Sequence, residues 1–150
     1  MIELRHVGVY VSELERMEVF YKNVFQMTVI QSKVFTENAL LDELLENRQA
    51  IISKLITPYG SVSGTGDMVE LVEVCGKKSE ESIAGEIFIP GTAHIAFGVD
   101  DILATADRII VNGGCMKTSI VEIGSNKCCF CVDPEGNWLE LIQRGTPNNS

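Results

Sequence analysis

The chain has 150 residues, of which 45% are apolar and 22% charged, enough for one soluble globular domain with a single hydrophobic core. Its formal net charge of −9 argues against binding to nucleic acid or to an anionic membrane surface, because both favour positive patches. No run of about 18 apolar residues indicates a membrane span, and the N-terminus lacks a signal-peptide pattern. We therefore expect a cytoplasmic protein whose five cysteines are free thiols.

The hydrophobic pattern of the first half predicts several strands and two helices. A strand over residues 2–11 precedes a helix, and Ser12 and Glu15 have the spacing of a capping box at its start. A second helix is predicted over about residues 36–47. The remaining predicted elements of this half are strands over residues 27–35, 49–57 and 68–74, with a loop over residues 58–67.

The second half repeats this order after a charged connector over residues 77–89. A strand over residues 92–99 leads into a helix over about residues 101–111, with apolar positions at Ile102, Ala106, Ile109 and Ile110. The remaining predicted elements are strands over residues 117–122, 127–132 and 138–143, with a hairpin turn over residues 133–137.

The order βαβββ therefore occurs twice, which predicts an α+β fold. We expect residues 1–150 to form one domain of two βαβββ modules, about residues 2–75 and 91–144. Short connections between many strands favour a curved mixed sheet with helices on its outer face. Two such modules would enclose a cleft.

Both modules begin with a histidine on a strand. The run from His6 to Val11 matches the run from His94 to Val99 position by position. Because strand side chains alternate, each histidine points away from the strongly apolar face of its strand. A lone histidine there is usually a core residue, but two at equivalent positions of a repeat indicate ligands that face a pocket.

Both modules also end with a glutamate inside an apolar strand, Glu70 in the first and Glu140 in the second. A buried isolated carboxylate costs several kcal/mol, so each needs a partner. Two neutral imidazoles and two carboxylates balance the charge of a divalent cation. The set His6, Glu70, His94 and Glu140 thus predicts a metal site suited to Zn, Ni, Co, Mn or Fe rather than to Ca or Cu(I).

At these residues the chain resembles the vicinal oxygen chelate superfamily, which includes glyoxalase I, methylmalonyl-CoA epimerase, extradiol dioxygenases and bleomycin- or fosfomycin-resistance proteins. The motifs that carry the resemblance are His6-Val7-Gly8-Val9-Tyr10-Val11, Val69-Glu70-Leu71-Val72, Ala93-His94-Ile95-Ala96-Phe97-Gly98-Val99 and Asp133-Pro134-Glu135-Gly136-Asn137-Trp138-Leu139-Glu140. The resemblance places the metal ligands at His6, Glu70, His94 and Glu140. Their order is similar to that of bacterial glyoxalase I.

The resemblance implies a metal-dependent lyase or isomerase of the glyoxalase I type, with Zn or Ni as the preferred metal. Such an enzyme binds a small substrate through two neighbouring oxygens and moves a proton next to a carbonyl through a metal-stabilised enediolate. Glu140 is the first choice for the catalytic base and Glu70 the second. A homodimer is also implied, in which the cleft forms within one chain or between two.

Two departures from glyoxalase I leave the substrate open. Tyr10 stands where glyoxalase I has an arginine that contacts glutathione, and the first module has 18 extra residues between its histidine and glutamate. Much of this excess is the helix over about residues 36–47. Three roles are open for this helix: a lid over the cleft, a dimer contact, or a packed surface helix. The alternative functions are an acyl-thioester epimerase of the methylmalonyl-CoA type, an extradiol-type dioxygenase and a non-enzymatic drug-binding resistance protein.

Overall fold

The computed structural model describes residues 2–36, 43–45, 48–63, 66–76 and 86–145. The chain divides into two compact units, Met1–Ser82 and Ile83–Ser150. Each unit has its own sheet.

The first unit is a four-stranded mixed sheet. Its order is β1-β4-β3-β2, in which β1 runs parallel to β4 and the other neighbours are antiparallel. Its elements are β1 (Val7–Tyr10), α1 (Leu14–Phe25), β2 (Thr28–Thr36), β3 (Ala50–Ile56), α2 (Pro58–Ser63) and β4 (Met68–Val74).

The second unit repeats the arrangement in a five-stranded mixed sheet. Its order is β5-β9-β8-β6, with β7 also pairing with β8, and β5 runs parallel to β9. Its elements are β5 (His94–Gly98), α3 (Ile102–Val111), β6 (Cys115–Met116), β7 (Val121–Ile123), β8 (Asn126–Val132) and β9 (Trp138–Gln143). The predicted α+β fold with mixed sheets is confirmed, whereas the cleft between two modules stays a prediction.

Several predicted boundaries differ from those of the structure. The first strand is only Val7–Tyr10, the predicted loop over residues 58–67 contains α2, and the strand predicted over residues 117–122 is replaced by the short β6 and β7. In the inserted segment, Thr36 ends β2 and residues 43–45 are helical. The rest of the helix predicted over residues 36–47 lies outside the described residues, as do residues 77–85 of the connector.

The two main helices begin in the same way. The backbone N–H of Leu14 donates to the Glu73 carboxylate at 2.8 Å, and that of Ile102 donates to the Gln143 side-chain oxygen at 2.9 Å. The residue before α1 is Glu13, whose side chain makes no capping hydrogen bond, and the capping box predicted at Ser12 and Glu15 stays a prediction. An acceptor from the last strand of each sheet thus contributes to the helix start, and at α3 the Asp101 side chain also accepts from the backbone N–H of Ala104 at 3.0 Å.

Each helix packs against one face of its own sheet. Met17, Phe20 and Tyr21 of α1 are buried, as are the sheet residues Leu55 and Leu71. In the second unit the buried residues of α3 are Ile102, Thr105, Ala106 and Ile109, and those of β9 are Leu139 and Leu141. Ile110, expected in the apolar stripe, is 53% exposed because Thr105 lies on the buried side in its place.

Candidate metal centre and active site

Strand pairing brings the first predicted histidine to the first glutamate. Gly8 lies opposite Glu70 in the parallel β1–β4 pair, and His6 lies just before β1. His6 Nε2 is 3.7 Å from Glu70 Oε1. The Glu70 side chain is 16% exposed, so its carboxylate is partly desolvated and near a potential donor.

The second pair has the same construction. Ala96 lies opposite Glu140 in the parallel β5–β9 pair, and His94 Nε2 is 3.2 Å from Glu140 Oε2. Phe130 lies opposite Glu140 on β8, and its ring packs edge-on against His94 with centroids 5.2 Å apart. The second pair therefore has an aromatic neighbour, and the Glu140 side chain is 22% exposed.

The structure thus brings each histidine to the glutamate of its own unit, as the repeat indicated. Across the residues that the structure describes, no group of three or more histidine, cysteine, aspartate and glutamate side chains gathers as a metal site. A site formed by all four residues stays a prediction. The donor set itself fits a divalent metal, since two imidazoles and two carboxylates supply N and O ligands with two negative charges.

Lys54 is a neighbour of the first pair that the sequence analysis did not single out. It lies opposite Glu70 in the antiparallel β3–β4 pair, and its Nζ is 3.4 Å from Glu70 Oε2. The only signal in the sequence is a lone lysine within the apolar run of β3. Recognising its partner requires the register between β3 and β4.

The clustered cysteines lie in the core of the second unit. Cys128, Cys129 and Cys131 are buried, and all five cysteines are free. Burial raises the pKa of Cys129, and burial together with Cys129 raises the pKa of Cys131 to about 12. Thiols that stay protonated are poor nucleophiles, so Cys129 and Cys131 act as small apolar side chains of the core.

Comparisons with known proteins agree with the sheet architecture. The profile of the Glyoxalase/Bleomycin resistance protein/Dioxygenase superfamily matches residues 3–141. The chain belongs to this superfamily.

Two curated relatives come from Vibrio and are named probable lactoylglutathione lyases. That of Vibrio parahaemolyticus is 31% identical, covering 92% of this chain and 88% of its own. That of Vibrio cholerae is 30% identical with the same coverage. These relatives confirm the prediction of a lyase-type enzyme.

The solved structures confirm the fold. A glyoxalase family protein from Bacillus cereus superposes with a TM-score of 0.82 at 16% identity, covering 97% of this chain and 96% of the other.

Among the described residues, no helix is long and apolar enough to cross a membrane.

Proposed function

We propose that this protein is a metal-dependent isomerising lyase of the glyoxalase I type. Its substrate would be a small molecule with two neighbouring oxygens, such as the adduct of a 2-oxoaldehyde with a thiol. The observation that carries the proposal is the repeated histidine–glutamate pair, at 3.7 Å in the first unit and 3.2 Å in the second. The relatives named lactoylglutathione lyase support it.

In this proposal His6, Glu70, His94 and Glu140 hold one divalent ion, with Zn or Ni preferred. When bound, the ion would act as a Lewis acid that polarises the substrate's oxygens. Both histidines can bind through a neutral ring nitrogen, and both carboxylates lie within reach of their histidines. The proposal leaves open whether the two pairs meet within one chain or between two chains.

Glu140 is the proposed base, with Glu70 as the second candidate. The Glu140 carboxylate would take the proton from the carbon that carries the hydroxyl and the sulfur, and return it to the neighbouring carbonyl carbon. The hydroxyl proton would pass to the oxygen of that second carbon, so atoms and electrons balance without an oxidant or reductant. Phe130 would limit the access of water to the carboxylate that carries the proton.

The test measures turnover of methylglyoxal with glutathione, and then with other thiols. Formation of the product thioester is the readout. Glu140→Gln keeps the side-chain size but removes the base, so kcat should fall by about 10²- to 10⁴-fold. Glu122→Gln makes the same charge change on β7, and the kcat of this variant should equal that of the wild type. Wild-type turnover by Glu140→Gln, or no turnover of any thiol adduct by the wild type, would contradict the proposal.

We also propose that the enzyme works as a cytoplasmic homodimer. Its five free cysteines fit a reducing compartment, and the superfamily resemblance implies the dimer. The mass in solution, measured by light scattering on the eluting peak, would be twice 16.5 kDa. A monomer peak that is fully active would contradict the dimer.

A further inference from the structure

The face of the first sheet that carries Glu70 has three zones along its strands. At one end Leu45 packs against the apolar cluster Ala50, Ile52 and Val72. Lys54 and Glu70 pair in the middle, and Ile56 and Met68 pair two residues further along, about 7 Å away. The polar pair therefore lies between an apolar cluster and a second apolar zone.

The second apolar zone opens into a cavity of about 330 Å³. Ile30, Ile56 and Met68 contribute its apolar lining, and its wall also holds the ion pair of Arg5 with Glu3, at 3.1 Å. This volume is at the lower end of the range for small-molecule pockets, about 300–1,000 Å³. A ligand held at His6 and Glu70 could thus extend past Lys54 into the cavity without leaving the first unit.

Lys54 can bind a further anion while it contacts Glu70. An ammonium group has three donors, and the Nζ lies 3.4 Å from one oxygen of Glu70. The Lys54 side chain is 36% exposed, so its remaining donors can reach an incoming group. The ammonium is thus a positive charge next to the proposed reacting centre in a chain whose net charge is −9.

The second unit shows that the fold does not require this cation. The position equivalent to Lys54 is Phe130, which lies opposite Glu140 in the same antiparallel register. Within the described part of the chain, Glu140 has an ion pair with His94 and none with a lysine or arginine. A glutamate at this place in the repeat is therefore accommodated without a lysine.

A lysine next to a metal ligand also carries an electrostatic cost. A divalent ion held by Glu70 would repel the ammonium, and the same carboxylate would be shared between two cations. An anion from the substrate would offset this repulsion when it binds. Lys54 is thus better explained as part of a substrate site than as a support for Glu70.

We propose that Lys54 determines specificity by binding a carboxylate of the substrate. The substrate class is then an anion whose carboxylate lies a few bonds from its two neighbouring oxygens, with the rest of the molecule in the cavity. This inference rests on the proposed function, since it places the substrate at the His6–Glu70 pair.

The experiment compares two adducts of methylglyoxal that differ in one carboxylate, those of 3-mercaptopropionate and 2-mercaptoethanol. The readout is the ratio of their kcat/KM values. A charge-assisted hydrogen bond should make the wild type prefer the carboxylate adduct by about 10- to 100-fold. Lys54→Met should reduce the ratio to near one, and Lys54→Arg should keep most of it. Lys22→Met is the matched control, because it removes the same charge from the exposed surface of α1.

A binding measurement separates this inference from the proposed function. The S-acetonyl derivatives of the same two thiols have a CH₂ in place of the carbon that carries the hydroxyl, so they report binding without the reaction. If the wild type turns over no thiol adduct, that of glutathione included, but binds the carboxylate derivative more tightly in a Lys54-dependent way, the proposed function fails and the role of Lys54 stands. Equal wild-type affinities, or an equal loss for both ligands in Lys54→Met, would overturn the inference.

Discussion

Asp133 offers a stringent test of how the last hairpin places Glu140. It is buried at 2% exposure in the turn between β8 and β9. Its Oδ1 accepts from the backbone N–H groups of Glu135 at 3.0 Å and Asn137 at 2.9 Å, and its Oδ2 accepts from Asn137 Nδ2 at 2.8 Å. One carboxylate therefore satisfies three donors in the turn that leads into the strand of Glu140.

Asp133→Ala should remove all three bonds and leave the donors of a half-buried turn without that acceptor. A hydrogen bond to a charged group contributes about 1.5–3 kcal/mol, and bonds to one group are not additive, so the expected loss in the free energy of unfolding is about 3–5 kcal/mol. Asp133→Asn keeps an oxygen for the two backbone donors, and Asn137 can turn its amide to accept from the new NH₂. Its expected loss is at most about 1.5 kcal/mol.

Urea unfolding followed by circular dichroism measures both variants. With a slope of about 2 kcal/mol/M, Asp133→Ala should lower the midpoint by roughly 1.5–2.5 M, and Asp133→Asn by less than about 0.8 M. Equal midpoints for the two variants would show that the three hydrogen bonds of the carboxylate do not stabilise the turn. A change in slope would instead indicate altered compactness of the unfolded chain.

Two further predictions concern the core of the second unit. A Cβ on Gly114 would lie 2.5 Å from the backbone oxygen of Val132, so Gly114→Ala should lower the free energy of unfolding by about 1–3 kcal/mol. Gly98→Ala, where nothing lies within 4 Å, is the control, and equal thermal midpoints would contradict the packing argument. At pH 8 iodoacetamide should label the exposed Cys115 and spare Cys131, whose pKa is raised by burial to about 12. Because the folded state holds the Cys131 proton more tightly than the unfolded chain, this contribution to stability is full below about pH 8.5 and is lost as the pH rises to about 12. A pH-independent midpoint above pH 9 would contradict it.

The repeat made much of the fold and of the candidate site predictable. The equivalence of His6 with His94, and of Glu70 with Glu140, needed only strand alternation and the internal match. The resulting strand pairing places each histidine near a glutamate, because β1 and β5 run parallel to the last strands of their units. These features depend on local periodicity, which a single sequence shows directly.

Features that depend on register between distant strands could not be predicted. Glu73 accepts from the backbone of Leu14 across 59 positions of the chain, a contact that local capping rules do not indicate. Lys54 meets Glu70 only because the β3–β4 register aligns them. Sequence spacing alone does not fix that register, since the turn between these strands contains α2 and has no standard hairpin length.

Both histidine–glutamate pairs are proposed to bind the same metal ion. Calorimetric titration of the metal-free protein with Zn²⁺ or Ni²⁺ tests this claim without relying on activity. We expect one ion per chain, and a loss of affinity of about tenfold or more when His6, Glu70, His94 or Glu140 is replaced singly by alanine. Two ions per chain, or wild-type affinity after both replacements in one pair, would contradict the claim.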